Sequence, residues 1–137
     1  MKISARNQFA GTITNINEGA VNGIVTLKSD DTVITGTISM SAIKELGLEV
    51  GKEAVAIAKA TEVLVGVGEF KLSARNQFRG TVENINKGAV NAIVTIALAD
   101  GHKVSATISI AAVEELGLEV GKEVVAIIKA TSVMFAA

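Results

Sequence analysis

Cysteine, proline, tryptophan and tyrosine are all absent from this chain of 137 residues, and histidine occurs once. Without cysteine the chain can form no disulfide, no thiolate metal site and no cysteine nucleophile. A single histidine, His102, argues against a histidine-based metal centre and against a Ser/His/Asp catalytic set. Without proline, no segment reads as a proline-rich linker.

Aromatic residues and net charge are also scarce. The aromatic share is 3% while the hydrophobic share is 49%, so the core must consist of valine, isoleucine, leucine and alanine. The β-branched members of this set favour strands. The formal net charge of −1 argues against nonspecific binding of nucleic acid or of a membrane surface, which requires a basic face. We therefore predict neither as a partner, although a local anion site needs only a few donors.

Long apolar runs are missing as well. Residues 1–6 contain no apolar segment typical of a signal peptide. No run of about 18 apolar residues predicts a transmembrane helix. We expect a cytoplasmic protein.

The chain is a tandem repeat of two similar copies. Ser4–Phe9 recurs letter for letter as Ser73–Phe78, and Leu46–Glu53 recurs as Leu116–Glu123. The offset between the copies grows by one residue between these blocks, which predicts an insertion in a hairpin loop near residues 97–103. Loops tolerate such insertions best. We divide the chain into domains 1–66 and 67–137.

The hydrophobic pattern of one copy predicts three strands, a short helix and a long β segment, with a division of that segment into two strands as the alternative. The predicted segments are 9–16, 20–27, 32–39, 42–46 and 53–65. Ser41 is predicted to cap the helix, and Gly47 to end it. The fold class is therefore all-β: two tandem OB-like small β-barrels, each with one short helix. Such small barrels have edges that strand exchange or ring assembly would cover.

No established catalytic motif is present. The sequence has no nucleophile elbow, no phosphate-binding glycine loop and no H-E-x-x-H motif, and no Ser/His/Asp set of suitable geometry is expected. Most carboxylates fall in predicted turns or on the helix face, where charged side chains are usually solvated. His102 follows Asp100 and Gly101 and is predicted to be an exposed turn residue. We predict that the protein is not an enzyme.

Oxyanion-binding groups recur in both copies. Each copy offers a serine hydroxyl, a backbone N–H and an arginine guanidinium, whose planar fork of donors suits oxyanions. These residues are Ser4, Ala5 and Arg6 in the first copy and Ser73, Ala74 and Arg75 in the second. Lys59 and Lys129 interrupt apolar strands and are either solvated edge residues or positioned cations; the residues alone favour the former. They do not identify the ligand.

Four motifs in this order and spacing resemble the molbindin (Mop) family. The motifs are S-A-R-N-Q-F-x-G-T at 4–12 and 73–81, G-A-V-N at 19–22 and 88–91, L-G-L-x-x-G at 46–51 and 116–121, and K-A-T-x-V at 59–63 and 129–133. They extend over both copies, hence over nearly the whole chain. The layout resembles the members that carry two Mop units in one chain.

The resemblance implies a Mop/TOBE-like fold and a cytoplasmic protein that binds molybdate, and also tungstate, for storage or homeostasis. It implies a homotrimer, a ring of six units with oxyanions at the interfaces between units, and no catalytic cofactor. Carried over by motif, the ligands are Ser4, Ala5, Arg6, Ser39, Lys59, Ala60, Ser73, Ala74, Arg75, Ser109, Lys129 and Ala130. Such a site of donors, with no nearby carboxylate, suits a tetrahedral dianion.

The chain departs from the family pattern at one hydroxyl position, where Ala42 and Ala112 stand. We therefore expect weaker binding, or sites that differ in strength. An alternative function is a molybdate-responsive regulatory module that acts on a partner protein. An enzyme acting on an oxyanion is disfavoured because no general base is evident.

The amides next to the arginines have no role in this ligand set. Asn7 and Asn76, and Gln8 and Gln77, are predicted to form structural hydrogen bonds where each first strand begins.

Overall fold

The computed structural model describes residues 1–137, and both copies have the same order of elements. The first copy contains β1 Asn7–Glu18, β2 Asn22–Ser29, β3 Thr32–Ser39, α1 Met40–Leu46, β4 Glu53–Ala58 and β5 Val63–Gly66. The second contains β6 Asn76–Lys87, β7 Asn91–Leu98, β8 Lys103–Ser109, α2 Ile110–Glu115, β9 Glu123–Ile128 and β10 Met134–Ala136. Short 3-10 turns at Ala60–Glu62 and Ala130–Ser132 precede β5 and β10.

The two copies exchange their last strands. One sheet has the order β10-β4-β1-β2-β3 and the other β5-β9-β6-β7-β8, so β5 pairs with β9 and β10 pairs with β4. The long β segment predicted at the end of each copy is therefore divided, because the 3-10 turn redirects the chain between its two strands. The exchange covers an edge of each sheet, as small barrels require.

The predicted fold class is confirmed: the chain is mainly β, with two curled five-stranded sheets and one short helix per copy. Each first strand is long and bends at a bulge, between Ile13 and Asn15 in β1 and between Val82 and Asn84 in β6. A bulge increases local twist and lets a sheet curl into a half-barrel. The division into domains 1–66 and 67–137 stays a prediction.

The short helices begin earlier than predicted. Ser39, and not Ser41, caps α1, since its side chain accepts the N–H of Ala42 while its backbone stays extended. Ser41 already lies within the first turn. Gly47 ends the helix as predicted, with a φ of 63° that glycine adopts without strain. Neither helix is long and apolar enough to cross a membrane.

The predicted insertion lies in a hairpin loop. The turn between β2 and β3 consists of Asp30 and Asp31, whereas residues 99–102 join β7 and β8. The longer loop closes through hydrogen bonds between Leu98 and His102 and from the Gly101 N–H to the Leu98 carbonyl. Gly101 has a φ of 94°, so its lack of a side chain permits this turn.

Buried apolar residues of both copies form one continuous core cluster of 25 residues. The exchanged strand β10 contributes Phe135, whose ring lies over Gly36 of β3; a Cβ on Gly36 would come within 2.5 Å of it. The second sheet has the larger Ala106 on β8 and the smaller Val65 on the exchanged strand β5 at the corresponding positions. Side-chain volume is thus redistributed between the two faces, as close packing requires.

Candidate functional site

Strand register places the serine–alanine–arginine segment beside the lysine–alanine segment within each copy. Asn7 pairs with Ala58 in the first copy, and Asn76 pairs with Ile128 in the second. The three residues that precede each asparagine therefore run alongside the residues that follow the partner strand. This juxtaposition joins the two halves of the predicted oxyanion site.

A cavity of about 550 Å³ opens where the second copy's segments meet residues of the first. It is lined by five predicted ligands: Ser73, Ala74, Arg75, Lys129 and Ala130. The other lining residues are Thr37, Thr61, Glu62, Leu64, Leu72, Ile127 and Thr131. The cavity crosses between the copies because the 3-10 turn of each copy packs against the third strand of the other.

The cations of this cavity carry no internal counter-ion. Neither Arg75 nor Lys129 lies within ion-pair distance of a carboxylate, and the same holds for Arg6 and Lys59 in the first copy. Two unpaired cations on one cavity wall produce a positive local field that favours an anion.

The expectation of a site without a nearby carboxylate is wrong for the second copy. Glu62 lines the same cavity as Arg75 and Lys129. Its Oε2 accepts a hydrogen bond from the Ser132 hydroxyl, with an oxygen–oxygen distance of 3.3 Å. Glu62 occupies the variable position of the K-A-T-x-V motif in the first copy, whereas the cavity belongs largely to the second copy, so the motif does not identify it.

Three threonine hydroxyls of the cavity were also absent from the predicted set. Thr61 and Thr131 belong to the K-A-T motif, which could have identified them. Thr37 had no such signal, because it reaches the cavity from β3 of the opposite sheet.

Two predicted ligands lie elsewhere. The hydroxyls of Ser39 and Ser109 accept the backbone N–H of Ala42 and Ala112 at 3.0 Å and so cap the two helices. Neither serine lines the cavity. Both are exposed, so a ligand role toward a neighbouring chain stays a prediction.

The predicted structural role of the asparagines is confirmed. Asn76 is 2% exposed, and its amide accepts the Thr35 N–H at 2.8 Å and donates to the Thr35 carbonyl at 2.7 Å. It also donates to the Ile128 carbonyl at 3.1 Å. Asn7 makes the equivalent pair of bonds with Ser105 at 2.7 and 2.9 Å. Thr35 and Ser105 belong to edge strands, so their backbone N–H and carbonyl groups on the outer side have no neighbouring strand to bond. The side-chain amides of Asn76 and Asn7 bond these groups instead.

The glutamines hold the candidate anion segments. Gln8 Nε2 donates to the carbonyls of Ile3 and Ala5 at 2.8 and 2.9 Å. Gln77 repeats this with Leu72 and Ala74 at 3.0 and 2.8 Å, and in both copies the serine lies between the two carbonyls. The predicted hydrogen bonds are confirmed, and they fix the turn that carries Ser4 or Ser73.

His102 is not the exposed turn residue that the sequence predicted. Its side chain is 18% exposed and lies 5.3 Å, centroid to centroid, from the Phe9 ring. Its Nδ1 lies 2.9 Å from Asp100 Oδ2, and its Nε2 lies 3.0 Å from Ser29 Oγ. The prediction was wrong because the groups that cover the ring belong to the other copy.

Asp100 joins the two hairpins. It accepts the Thr32 hydroxyl at 2.6 Å, and its own side chain is 6% exposed. The hydrogen bond from Thr32 is the main reason that the pKa of Asp100 lies far below its ordinary value, and the hydrogen bonds and charge of His102 lower it further. Burial acts in the opposite direction and raises this pKa. The carboxylate is therefore ionised throughout the neutral range.

The side chains of Ser29, His102 and Asp100 are thus connected as in a Ser/His/Asp catalytic triad. The expectation that the chain has no Ser/His/Asp set of suitable geometry was therefore wrong. The chemistry differs, however. Ser29 is 3% exposed, and its hydroxyl donates to the Ala10 carbonyl. No substrate can approach this oxygen, and its proton is already engaged. The cluster connects the two copies and does not form an accessible nucleophilic site.

Comparison with known proteins yields one family model and several relatives. The TOBE domain model matches residues 3–65 and 72–135. The crystal structure of the cytoplasmic molybdate-binding protein ModG with molybdate bound superposes with a TM-score of 0.96. It is 41% identical, and the match covers 100% of this chain and 99% of that chain.

Two relatives differ in length. The molybdenum transport protein ModE of Herbaspirillum seropedicae is 40% identical over 99% of this chain and 52% of its own length. A "Probable molybdenum-pterin-binding protein" of Haemophilus influenzae is 62% identical over 47% of this chain and 94% of its own length. The chain thus spans about half the length of ModE and contains the equivalent of two of the shorter protein.

Proposed function

The chain belongs to the TOBE domain family, as two tandem Mop-like units, and from this premise we propose that it binds molybdate in cavities formed where its copies meet. One observation carries the proposal: Ser73, Arg75 and Lys129 meet at a single cavity with neither cation ion-paired. The likeness to ModG, which was crystallised with molybdate, supports the choice of ligand.

The donor set suits a tetrahedral dianion. Such an anion offers four acceptor oxygens and no donor at neutral pH, and the cavity offers a guanidinium, an ammonium and several hydroxyls. Charge-assisted hydrogen bonds of this kind are about twice as strong as neutral ones. The backbone N–H groups of Ala74 and Ala130 add donors that need no counter-ion.

The cavity, at about 550 Å³, is far larger than one such anion, and it is open. Leu64 and Leu72 line it while 49% and 47% exposed. Exposed apolar residues around a polar site are typical of an interface. We propose that a neighbouring chain covers this face, in a homotrimer that forms a ring of six units. Ser39 or Ser109 of the neighbour would then supply further hydroxyls.

The proposed role is storage or homeostasis of molybdate in the cytoplasm, with tungstate as an equivalent ligand because it has the same charge and shape. We propose no catalytic role and no cofactor. The relatives are binding or transport proteins by name, and the chain's one Ser/His/Asp set is buried.

Isothermal titration of the full chain with molybdate tests this function. We expect stoichiometric uptake, and loss of most of it in the double variant Lys59→Ala, Lys129→Ala. The matched control is Lys28→Ala with Lys44→Ala, which removes the same charge from exposed positions away from the cavity. Equal uptake by the two double variants would refute the site. Sedimentation velocity, with and without molybdate, tests the trimer.

A second function has one supporting observation. ModE matches this chain over 52% of its own length, so in that relative the two units are joined to further chain of similar size. As the alternative function we propose a molybdate-responsive regulatory module that acts on a partner protein. Recovery of a specific partner protein only in the presence of molybdate would favour this alternative over storage.

A further inference from the structure

The two copies differ at one charged position beside the candidate anion sites. Glu62 follows the K-A-T motif of the first copy, and Ser132 stands at the corresponding position of the second. The two residues face each other, with the Ser132 hydroxyl donating to Glu62 Oε2 at 3.3 Å. Glu62 lines the cavity of the second copy although it belongs to the first copy. By the symmetry of the repeat, Ser132 is the residue equivalent to Glu62 on the first copy's side.

The cavity of the second copy therefore contains a carboxylate. Glu62 lines it together with Arg75 and Lys129, yet lies beyond ion-pair distance from both cations. The cations do not neutralise it, and its one side-chain hydrogen bond, to Ser132, leaves its charge intact. On the first copy's side the corresponding group is a neutral hydroxyl.

From this difference we propose that Glu62 makes the two oxyanion sites of the chain unequal, by weakening the binding of a dianion in the second copy's cavity. The proposal rests on the proposed function and assigns a specificity-determining residue to it. A negative charge on the cavity wall repels an anion whose oxygens carry no proton. At an effective dielectric of about 40 to 80, suited to an open cavity in contact with water, one charge about 10 Å from a dianion raises its Kd roughly 3- to 30-fold.

The same carboxylate affects which anions are accepted. An oxyanion that carries a proton can donate it to Glu62, whereas a fully deprotonated dianion cannot. Hydrogen phosphate should therefore lose less affinity at this cavity than molybdate does. The deprotonated dianions molybdate and sulfate should be affected alike.

The test measures molybdate binding by isothermal titration at low salt, in two backgrounds. In Lys59→Ala, which weakens the first site, adding Glu62→Gln should tighten the remaining binding by roughly 3- to 30-fold. In Lys129→Ala, which weakens the second, the same change should have less than about a twofold effect. Glu62→Gln removes the charge but keeps the size and an acceptor for Ser132. Glu45→Gln on the exposed helix face is the charge-matched control.

Two further measurements separate charge from structure. The gain should shrink as salt is raised, because ions screen a partly exposed charge. The reverse change, Ser132→Glu, should weaken binding in the Lys129→Ala background. Equal Kd values with and without Glu62→Gln in the Lys59→Ala background would overturn this proposal while leaving molybdate binding intact. A native chain that takes up no molybdate would overturn both.

Discussion

Replacing Asn76 with alanine should destabilise the junction between the two sheets. The Asn76 amide is buried and pairs with both backbone groups of Thr35 on the edge strand β3, as well as with the Ile128 carbonyl. An amide side chain has one acceptor and a two-proton donor, so it supplies what a peptide of a further strand would supply. Alanine leaves three backbone groups without that partner.

The expected loss follows from the hydrogen-bond count. Each of the three bonds contributes about 1 kcal/mol net, and a buried backbone group left unpaired costs about 1–3 kcal/mol. Because Thr35 is partly buried, we expect Asn76→Ala to lower the free energy of unfolding by about 3 kcal/mol. Asn76→Asp should be at least as harmful at neutral pH, since a carboxylate oxygen would then face two carbonyls.

Urea unfolding followed by far-UV circular dichroism measures this loss, since the chain has no tryptophan or tyrosine for fluorescence. All variants should be compared at one protein concentration, because assembly stabilises the folded state by mass action. The control is Asn22→Ala, an exposed asparagine for which a change below about 0.5 kcal/mol is expected. A loss below about 1 kcal/mol for Asn76→Ala, at an unchanged denaturant slope, would refute the reasoning.

Three further outcomes are expected. Gly36→Ala should lower the free energy of unfolding by about 1–3 kcal/mol, and adding Phe135→Val should restore part of it, since the new Cβ meets the Phe135 ring; additive losses would contradict this. The free energy of unfolding should fall as the pH drops below about 4, because the pKa of Asp100 is lower in the folded than in the unfolded state. Asp100→Asn should reduce this dependence on pH, measured by urea unfolding at several acidic pH values; an unchanged dependence would contradict the reasoning. Gln77→Ala should weaken molybdate binding more than it lowers stability, because it releases the Ser73 turn; titration and urea unfolding together decide this.

Most strands were predictable because each copy buries one face of an antiparallel sheet and so alternates cleanly. The sheet that the last strand of each copy joins was not predictable. β5 and β10 are short and apolar, and both follow the same K-A-T motif, so either would fit either sheet. Pairing across the copies depends on the direction in which the 3-10 turn sends the chain, which hydrophobic periodicity does not encode.

The site divides in the same way. Arg75 was selected for its guanidinium in the repeated motif, whereas Lys129 entered the predicted set only through the family resemblance, because the residues alone favoured a solvated edge lysine; both line the cavity. Thr37 and Glu62 were missed because they reach the cavity from elements of the first copy. His102 was predicted wrongly for a related reason: a residue directly after Asp-Gly is usually exposed in a turn, whereas Phe9 and Ser29 of the other copy cover this ring.

The contacts between the copies also show why joining two units in one chain matters. The asparagine contacts are symmetric, and each copy contributes the same amide to the other's edge strand. The contact between Glu62 and Ser132 is asymmetric. In an assembly of identical single units, the residue at this position would meet the same residue of a second unit. Two glutamates would then repel each other, and two serines would meet with no charge present. A covalent tandem guarantees that one carboxylate meets one hydroxyl. The proposed inequality of the two anion sites therefore requires no like-charge contact at the junction.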